Sequence, residues 1–262
     1  MAWVIDLDGV MWLGDEPIAG SADAVARLRA TGQRVVFVTN NSAVRVAEQE
    51  EKLASVGIDA EGDVVNSAGA AASMLESGST AVVCGGPGVV EALEARGVTV
   101  RQEGPADAVV VGFHQDFDYE RLRAAHRAVA DGARLIGTNS DATFPTPDGP
   151  VPGAGPILAA VATAAGVEPE VAGKPHEPMA AVVRSMVGED DLTVVGDRIT
   201  TDGSLAVLLG ARFALVLSGV TESVDPDAEP VPDAVAADLA ELVAAELDGA
   251  EPEGAEGGAT DQ

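Results

Sequence analysis

Short apolar runs that end in polar residues alternate along this chain with longer stretches whose apolar positions recur at helical spacing. The first cycles are Trp3-Val4-Ile5, Ala22 to Arg29, Val35-Val36-Phe37-Val38, and Val44 to Ser55. This alternation predicts an α/β fold built on a parallel sheet. The strand-like runs are continuously apolar, which predicts burial on both faces of the sheet. The same pattern predicts strands at Ala81 to Val83, Ala108 to Val111, Leu135-Ile136, Leu192 to Val195 and Phe213 to Leu217. It predicts helices at Gly88 to Ala95, Tyr119 to Asp131, Ile157 to Ala165 and Pro178 to Val187.

A chain of 262 residues suffices for one large domain or two modest ones. Its single cysteine, Cys84, has no partner within the chain and follows two valines, which suits a small core residue. The N-terminal apolar run is short and lacks a basic flank, so a cytoplasmic protein is expected rather than an exported one. The uncharged stretch Gly149 to Val167 approaches the length of a membrane span, but it is Ala, Gly and Pro with few large apolar groups. It predicts a loop followed by a buried helix, with no membrane partner. A formal net charge of −28 repels nucleic acid and anionic membrane surfaces. From Gly249 onward the chain is acidic and almost free of large apolar groups, which predicts a disordered tail over 249–262.

Four polar clusters carry candidate chemistry: Asp6-Leu7-Asp8-Gly9-Val10, Thr39-Asn40-Asn41-Ser42, Gly173-Lys174-Pro175, and Gly196-Asp197-Arg198-Ile199-Thr200-Thr201-Asp202. All but the third follow a predicted strand. Taken singly, Asp8-Gly9 reads equally well as a turn, Thr39 to Ser42 as a helix cap, and Gly173 to Pro175 as a surface turn. In an open parallel sheet, however, ligands bind beyond the carboxyl ends of the strands, so distant clusters converge. Asp6, Asp8, Asp197 and Asp202 would then crowd together at a large electrostatic cost unless a cation intervenes. Oxygen ligands without a Cys or His cluster select Mg²⁺. Lys174, which with Lys52 makes up all the lysine of the chain, supplies a fixed positive charge, and Thr39 and Asn40 supply donors for a phosphate. His114, His126 and His176 are too scattered for a metal site and suit structural or surface roles.

With these residues assembled, the chain resembles the haloacid dehalogenase superfamily, and within it the NagD-like or 4-nitrophenylphosphatase-like phosphatases. Asp-Leu-Asp-Gly-Val-Met-Trp, Val-Thr-Asn-Asn-Ser, Gly-Thr-Asn-Ser-Asp and Gly-Asp-Arg-Ile-Thr-Thr-Asp carry the resemblance, which runs from Trp3 to about Leu247. It implies a Rossmann-like core from residues 1–78 and 173–248 and an inserted α/β cap from 79–172. It further implies that Asp6 is the nucleophile and that Asp8 protonates the leaving alcohol and later activates water. Mg²⁺ would be held by the Asp6 carboxylate, the Asp8 backbone carbonyl and Asp197, with Asp202 behind them. Thr39 and Lys174 would bind the phosphoryl group, and Asn40 would shape the loop around it.

The expected activity is hydrolysis of a small phosphorylated metabolite, with a sugar or polyol phosphate favoured because no aromatic clamp is evident. Asn139 and Asp141 are the expected specificity residues, although a loop held by its own Asx turns explains them equally well. A phosphotransferase or mutase using the same aspartyl-phosphate, or a non-catalytic binder, would share the fold. A homodimer stays open.

Overall fold

The computed structural model describes residues 1–146, 149–188 and 191–249. The tail expected at 249–262 therefore lies, apart from Gly249, outside the described residues. The chain runs through β1 (Ala2–Asp6), the hairpin β2 (Trp12–Leu13) and β3 (Glu16–Pro17), α1 (Ser21–Ala30), β4 (Arg34–Thr39), α2 (Val46–Ser55), β5 (Val64–Asn66) and α3 (Ser67–Ser73). It continues through β6 (Thr80–Cys84), α4 (Pro87–Ala95), β7 (Thr99–Arg101), β8 (Ala108–Val111), α5 (Tyr119–Ala130), β9 (Arg134–Gly137), the hairpin β10 (Thr143–Phe144) and β11 (Val151–Pro152), α6 (Ala154–Ala165) and β12 (Glu170–Val171). It closes with α7 (Glu177–Val187), β13 (Leu192–Gly196), one π-helical turn over Ile199–Gly203, α8 (Ser204–Leu209), β14 (Arg212–Val216), β15 (Ala234–Ala236) and α9 (Leu239–Asp248).

Two all-parallel sheets result. The first has the order β15-β14-β13-β1-β4-β5 and the second β12-β9-β8-β6-β7. Their strands are the continuously apolar runs of the sequence: all five residues of β1, of β13 and all four of β8 are buried. In the first sheet the chain moves outward on one side of β1 through β4 and β5, and on the other through β13, β14 and β15. Such a reversal leaves a crevice at the carboxyl ends of the central strands.

Helices start and stop where local chemistry dictates. Asn66, Asp118 and Asp238 accept N–H bonds from Gly69, Arg121 and Glu241, capping α3, α5 and α9. Helix α6 buries Ala154, Ile157, Leu158 and Val161 on one face.

The sequence pattern misses α9, although Leu239, Leu242 and Val243 recur there at helical spacing, and most of the other elements it misses have too little apolar periodicity to read. Strands β5, β7, β12 and β15 have only two or three residues, and α3 is Ser-Ala-Gly-Ala-Ala-Ala-Ser. Small side chains let α3 sit at close quarters. It packs against α4 and α7, and its Ala70 and Ala71 are fully buried in an apolar cluster that includes Val36 and Val38 of the first sheet and Ala81, Val83 and Val110 of the second.

Because that cluster spans both sheets, Ala71→Leu overfills it and should cost about 1–3 kcal/mol. Chemical denaturation should show a lower midpoint in one cooperative transition for both sheets. An unchanged midpoint would mean that α3 has room to spare.

Candidate active site

The topology brings three of the four clusters to one edge. Asp6 ends β1, Thr39 ends β4 and Asp197 follows β13, and β1 lies between the other two. Lys174 arrives from the opposite direction. It follows β12 of the second sheet, where Ala172 and Gly173 donate N–H bonds to Gly137 and Thr138 at 2.9 and 2.7 Å.

At the floor of the resulting cleft lies a nearly dry group of charges. Lys174 Nζ is 2.8 Å from Asp6 Oδ1 and 2.6 Å from Asp202 Oδ1. Asp6 Oδ1 also accepts the Leu7 N–H at 2.8 Å, and Asp202 Oδ2 accepts the Arg198 N–H at 3.1 Å. Burial opposes the Lys174 charge, but Asp202 and Asp6 outweigh it and hold the ammonium above its ordinary lysine pKa. Burial raises the Asp6 pKa well above the usual carboxylate value. Lys174 lowers it, while Asp202, Asp197 and Asp8 push it up further. Asp197, buried and near Asp202, is pushed up to about 6.

One buried positive charge thus faces several carboxylates, with the half-buried Arg198 side chain lining the same cleft and opposing the rise at Asp197. Asp6, Asp197 and Asp202 each bring an oxygen within 4.8 Å of the others. Asp197 Oδ2 accepts the Val220 N–H at 2.6 Å, whereas its buried Oδ1 receives no hydrogen bond from the described residues. The backbone closes tightly around it: a side chain at Gly9, whose φ is +89°, or at Gly219 would run into the Asp197 carboxylate. An orphaned buried oxygen in an all-oxygen cradle fits a hard divalent cation. Asp6 and Asp197 are the carboxylates available to it, because both oxygens of Asp202 already have partners.

Asp8 lies at the rim, half-buried, with Oδ2 accepting the Thr39 hydroxyl at 3.2 Å and Oδ1 the Trp12 indole N–H at 3.1 Å. Thr39 Oγ1 in turn accepts the Asn41 N–H at 3.0 Å. Asn40 ties the cleft together. Its Oδ1 accepts the Lys174 N–H at 2.8 Å, and its Nδ2 donates to the Lys174 carbonyl at 3.2 Å and to Asp141 Oδ2 at 3.1 Å. Asn139 Nδ2 donates to the Asn40 carbonyl at 2.7 Å, and Ser67 Oγ to the same oxygen at 2.7 Å. Asn139 and Asp141 do line the cleft, but these bonds engage them with Asn40.

Other parts of the wall had no signal in the motifs. Phe113 and Phe144 stack with ring centroids 4.8 Å apart and line the cleft beside Leu13 and Val220. These two rings, far apart in sequence, stack on each other and form an aromatic wall rather than the clamp around a ligand ring that the sequence did not show. Gly219-Val220 was findable by the same rule as the four clusters, since it stands just beyond β14. Cys84 is buried in β6, with its thiol pushed up to about 12 by burial, as a core residue should be. Among the described residues no helix is long and apolar enough to cross a membrane.

Two family profiles match the chain, one for haloacid dehalogenase-like hydrolases over residues 3–99 and one described as HAD-hydrolase-like over residues 171–242. The chain belongs to the haloacid dehalogenase-like hydrolases. An acid sugar phosphatase of Staphylococcus saprophyticus is 35% identical over 237 residues, covering 88% of this chain and 92% of the relative. The p-nitrophenyl phosphatase of Archaeoglobus fulgidus superposes with a TM-score of 0.87 at 33% identity, covering 93% of this chain and 98% of that one. The glycerol phosphate phosphatase of Mycobacterium tuberculosis in complex with magnesium gives 0.84 at 32% identity, covering 92% and 75%. Within the superfamily the chain is of the NagD-like, 4-nitrophenylphosphatase-like branch, a phosphoric monoester hydrolase.

Removing the buried Lys174 ammonium exposes the electrostatics. Lys174→Met leaves Asp6 and Asp202 uncompensated and should destabilise the metal-free protein by about 3–5 kcal/mol at pH 7. Protonating a carboxylate relieves that strain, so the deficit should shrink as pH falls. Denaturation at pH 7 and pH 5 checks both; a deficit that is absent, or that grows on acidification, contradicts the charge arrangement.

Proposed function

We propose that the chain is a Mg²⁺-dependent phosphatase of small phosphate monoesters, sugar or polyol phosphates foremost, acting through an aspartyl-phosphate on Asp6. The observation that carries this reading is the Asp6 carboxylate itself. Its Oδ1 is held by Lys174 and the Leu7 N–H, and it lies at the floor of a cleft lined by Thr39, Asn40, Asp8 and Asp197.

In this reading Asp6 attacks phosphorus, and the bond from phosphorus to the ester oxygen breaks. The departing alcohol takes a proton from Asp8. Asp8 then removes a proton from water, which attacks the same phosphorus and releases inorganic phosphate from Asp6. Lys174 and the donors of the Thr39 to Asn41 loop hold the phosphoryl oxygens. Asp6, Asp197 and the Asp8 backbone carbonyl would hold the divalent cation, which would supply positive charge to offset the ester facing an anionic nucleophile. Asp202 keeps Lys174 in place.

The unit of 79–172 acts as the cap that roofs the cleft and excludes water, over a core of 1–78 and 173–248. Its Phe113, Phe144, Asn139 and Asp141 meet the leaving group or shape the space it occupies. The names of the relatives support the class of substrate: a sugar phosphatase, a glycerol phosphate phosphatase and a nitrophenyl phosphatase.

Asp6→Asn should lower kcat by at least ~10³-fold while leaving the fold intact, as removal of a covalent nucleophile does. A variant that retained a tenth of the wild-type rate would refute covalent catalysis by Asp6. Chelation with EDTA should abolish phosphate release and Mg²⁺ should restore it. The assay is a screen of phosphorylated metabolites read by free phosphate; persistent turnover after exhaustive chelation, or transfer to an acceptor without phosphate release, contradicts the reading.

A further inference from the structure

The two oxygens of the Asp8 carboxylate are held by donors of different kinds. The Trp12 indole N–H reaches Oδ1 at 3.1 Å and the Thr39 hydroxyl reaches Oδ2 at 3.2 Å. An indole nitrogen can only donate, whereas a hydroxyl can donate or accept. Oδ1 is thereby kept as an acceptor, and a proton carried by Asp8 belongs on Oδ2. The surroundings agree. Thr39 lines the cleft that holds Asp6 and Lys174, while Trp12 lines a neighbouring cavity on the other side of Asp8, together with Gln49 and Lys52.

Trp12 is itself fixed. It is 4% exposed, opens the β2–β3 hairpin, and accepts the Gly9 N–H on its carbonyl at 2.7 Å. The Lys52 ammonium lies 4.3 Å from the centre of its ring and donates to the Gly14 carbonyl at 2.6 Å. A cation over an indole face is attracted by the ring quadrupole, so Lys52 holds the ring against the hairpin. We propose that Trp12 is a positioning residue for the general acid and base: its indole N–H fixes the rotation of the Asp8 carboxylate and reserves Oδ2 for proton exchange. The inference rests on the assignment of Asp8 as that acid. The proton leaves Oδ2 for the ester oxygen as its bond to phosphorus breaks, and the attacking water returns one to Oδ2.

The test compares kcat/KM for 4-nitrophenyl phosphate, whose leaving group departs as a stable anion, with that for an alkyl phosphate from the substrate screen, whose alkoxide needs the proton. The ratio of the two is independent of how much of a variant is folded. It is measured at saturating Mg²⁺ for Trp12→Phe and for a chain carrying β-(3-benzothienyl)alanine at position 12, which keeps the ring shape and replaces N–H with sulfur. The alkyl-to-aryl ratio should fall about ten-fold or more in both, within the range that general acid catalysis contributes. An unchanged ratio in the benzothienyl chain, or equal losses for both esters, overturns the role of Trp12. Asp8→Asn is run beside them. If it lowers the ratio and the Trp12 variants do not, the positioning role alone fails; if it leaves the ratio unchanged, the acid assignment and this inference fail together.

Discussion

A single buried ammonium among carboxylates is the constraint around which the rest of this molecule is arranged. Lys174 cannot be solvated where it lies, so its charge has to be met by Asp6 and Asp202, and theirs by it. Several features of the fold follow from that need. The strand order places β1 between β4 and β13 so that their ends share one edge. The excursion through the second sheet returns the chain at Gly173 with Lys174 aimed back across that edge. The π-helical turn after β13 brings Asp202 under the lysine and its other oxygen onto the Arg198 N–H. One lysine does not neutralise the whole group, and the residual negative charge together with the orphaned Asp197 oxygen makes the place receptive to a divalent cation and then to an anionic ester.

Much of this was legible in the sequence because its signals are local. A strand buried on both faces has to be continuously apolar, and β1, β4, β8 and β13 are; a polar cluster just beyond such a run marks the edge of a parallel sheet. Asp6, Thr39 and Asp197 were readable on those terms. Lys174 was harder, since the two-residue strand before it belongs to the other sheet. Illegible were features created only by folding: the Phe113–Phe144 stack joins the loop after β8 to the short strand β10, and the Trp12 contact with Asp8 depends on a hairpin of two-residue strands. Helix α3 shows the same limit from the side of packing. Its value lies in having nothing large to bury, and an absence of large side chains leaves no periodicity to detect.

The charge of the chain and the chemistry of its cleft point in opposite directions. A net charge of −28 repels phosphate esters at long range, but that field is damped over about 8 Å at physiological ionic strength. Within the cleft the charged groups are Lys174, Arg198 and the carboxylates of Asp6, Asp8 and Asp197, and on the proposed reading they would act on a phosphoryl group at contact distance. The acidic surface therefore sets how readily a substrate approaches, and the buried group sets what happens once it arrives. The charges at the floor are themselves buried, Lys174, Asp197 and Asp202 each at 3% exposure or less, and interact there with little screening.

Asn40 has a consequence for how such proteins diversify. Its one amide touches the backbone of Lys174 and the carboxylate of Asp141, and its own carbonyl receives Asn139 and Ser67, so the first sheet, the returning chain and the second unit are gauged against the same side chain. A foreign segment grafted in place of the second sheet would have to bring its own matching 138–141 segment to fit that gauge. Exchange of the segment that carries the second sheet is thus filtered at a seam of four residues, while Phe113 and Phe144 lie outside it and can vary without touching Asn40.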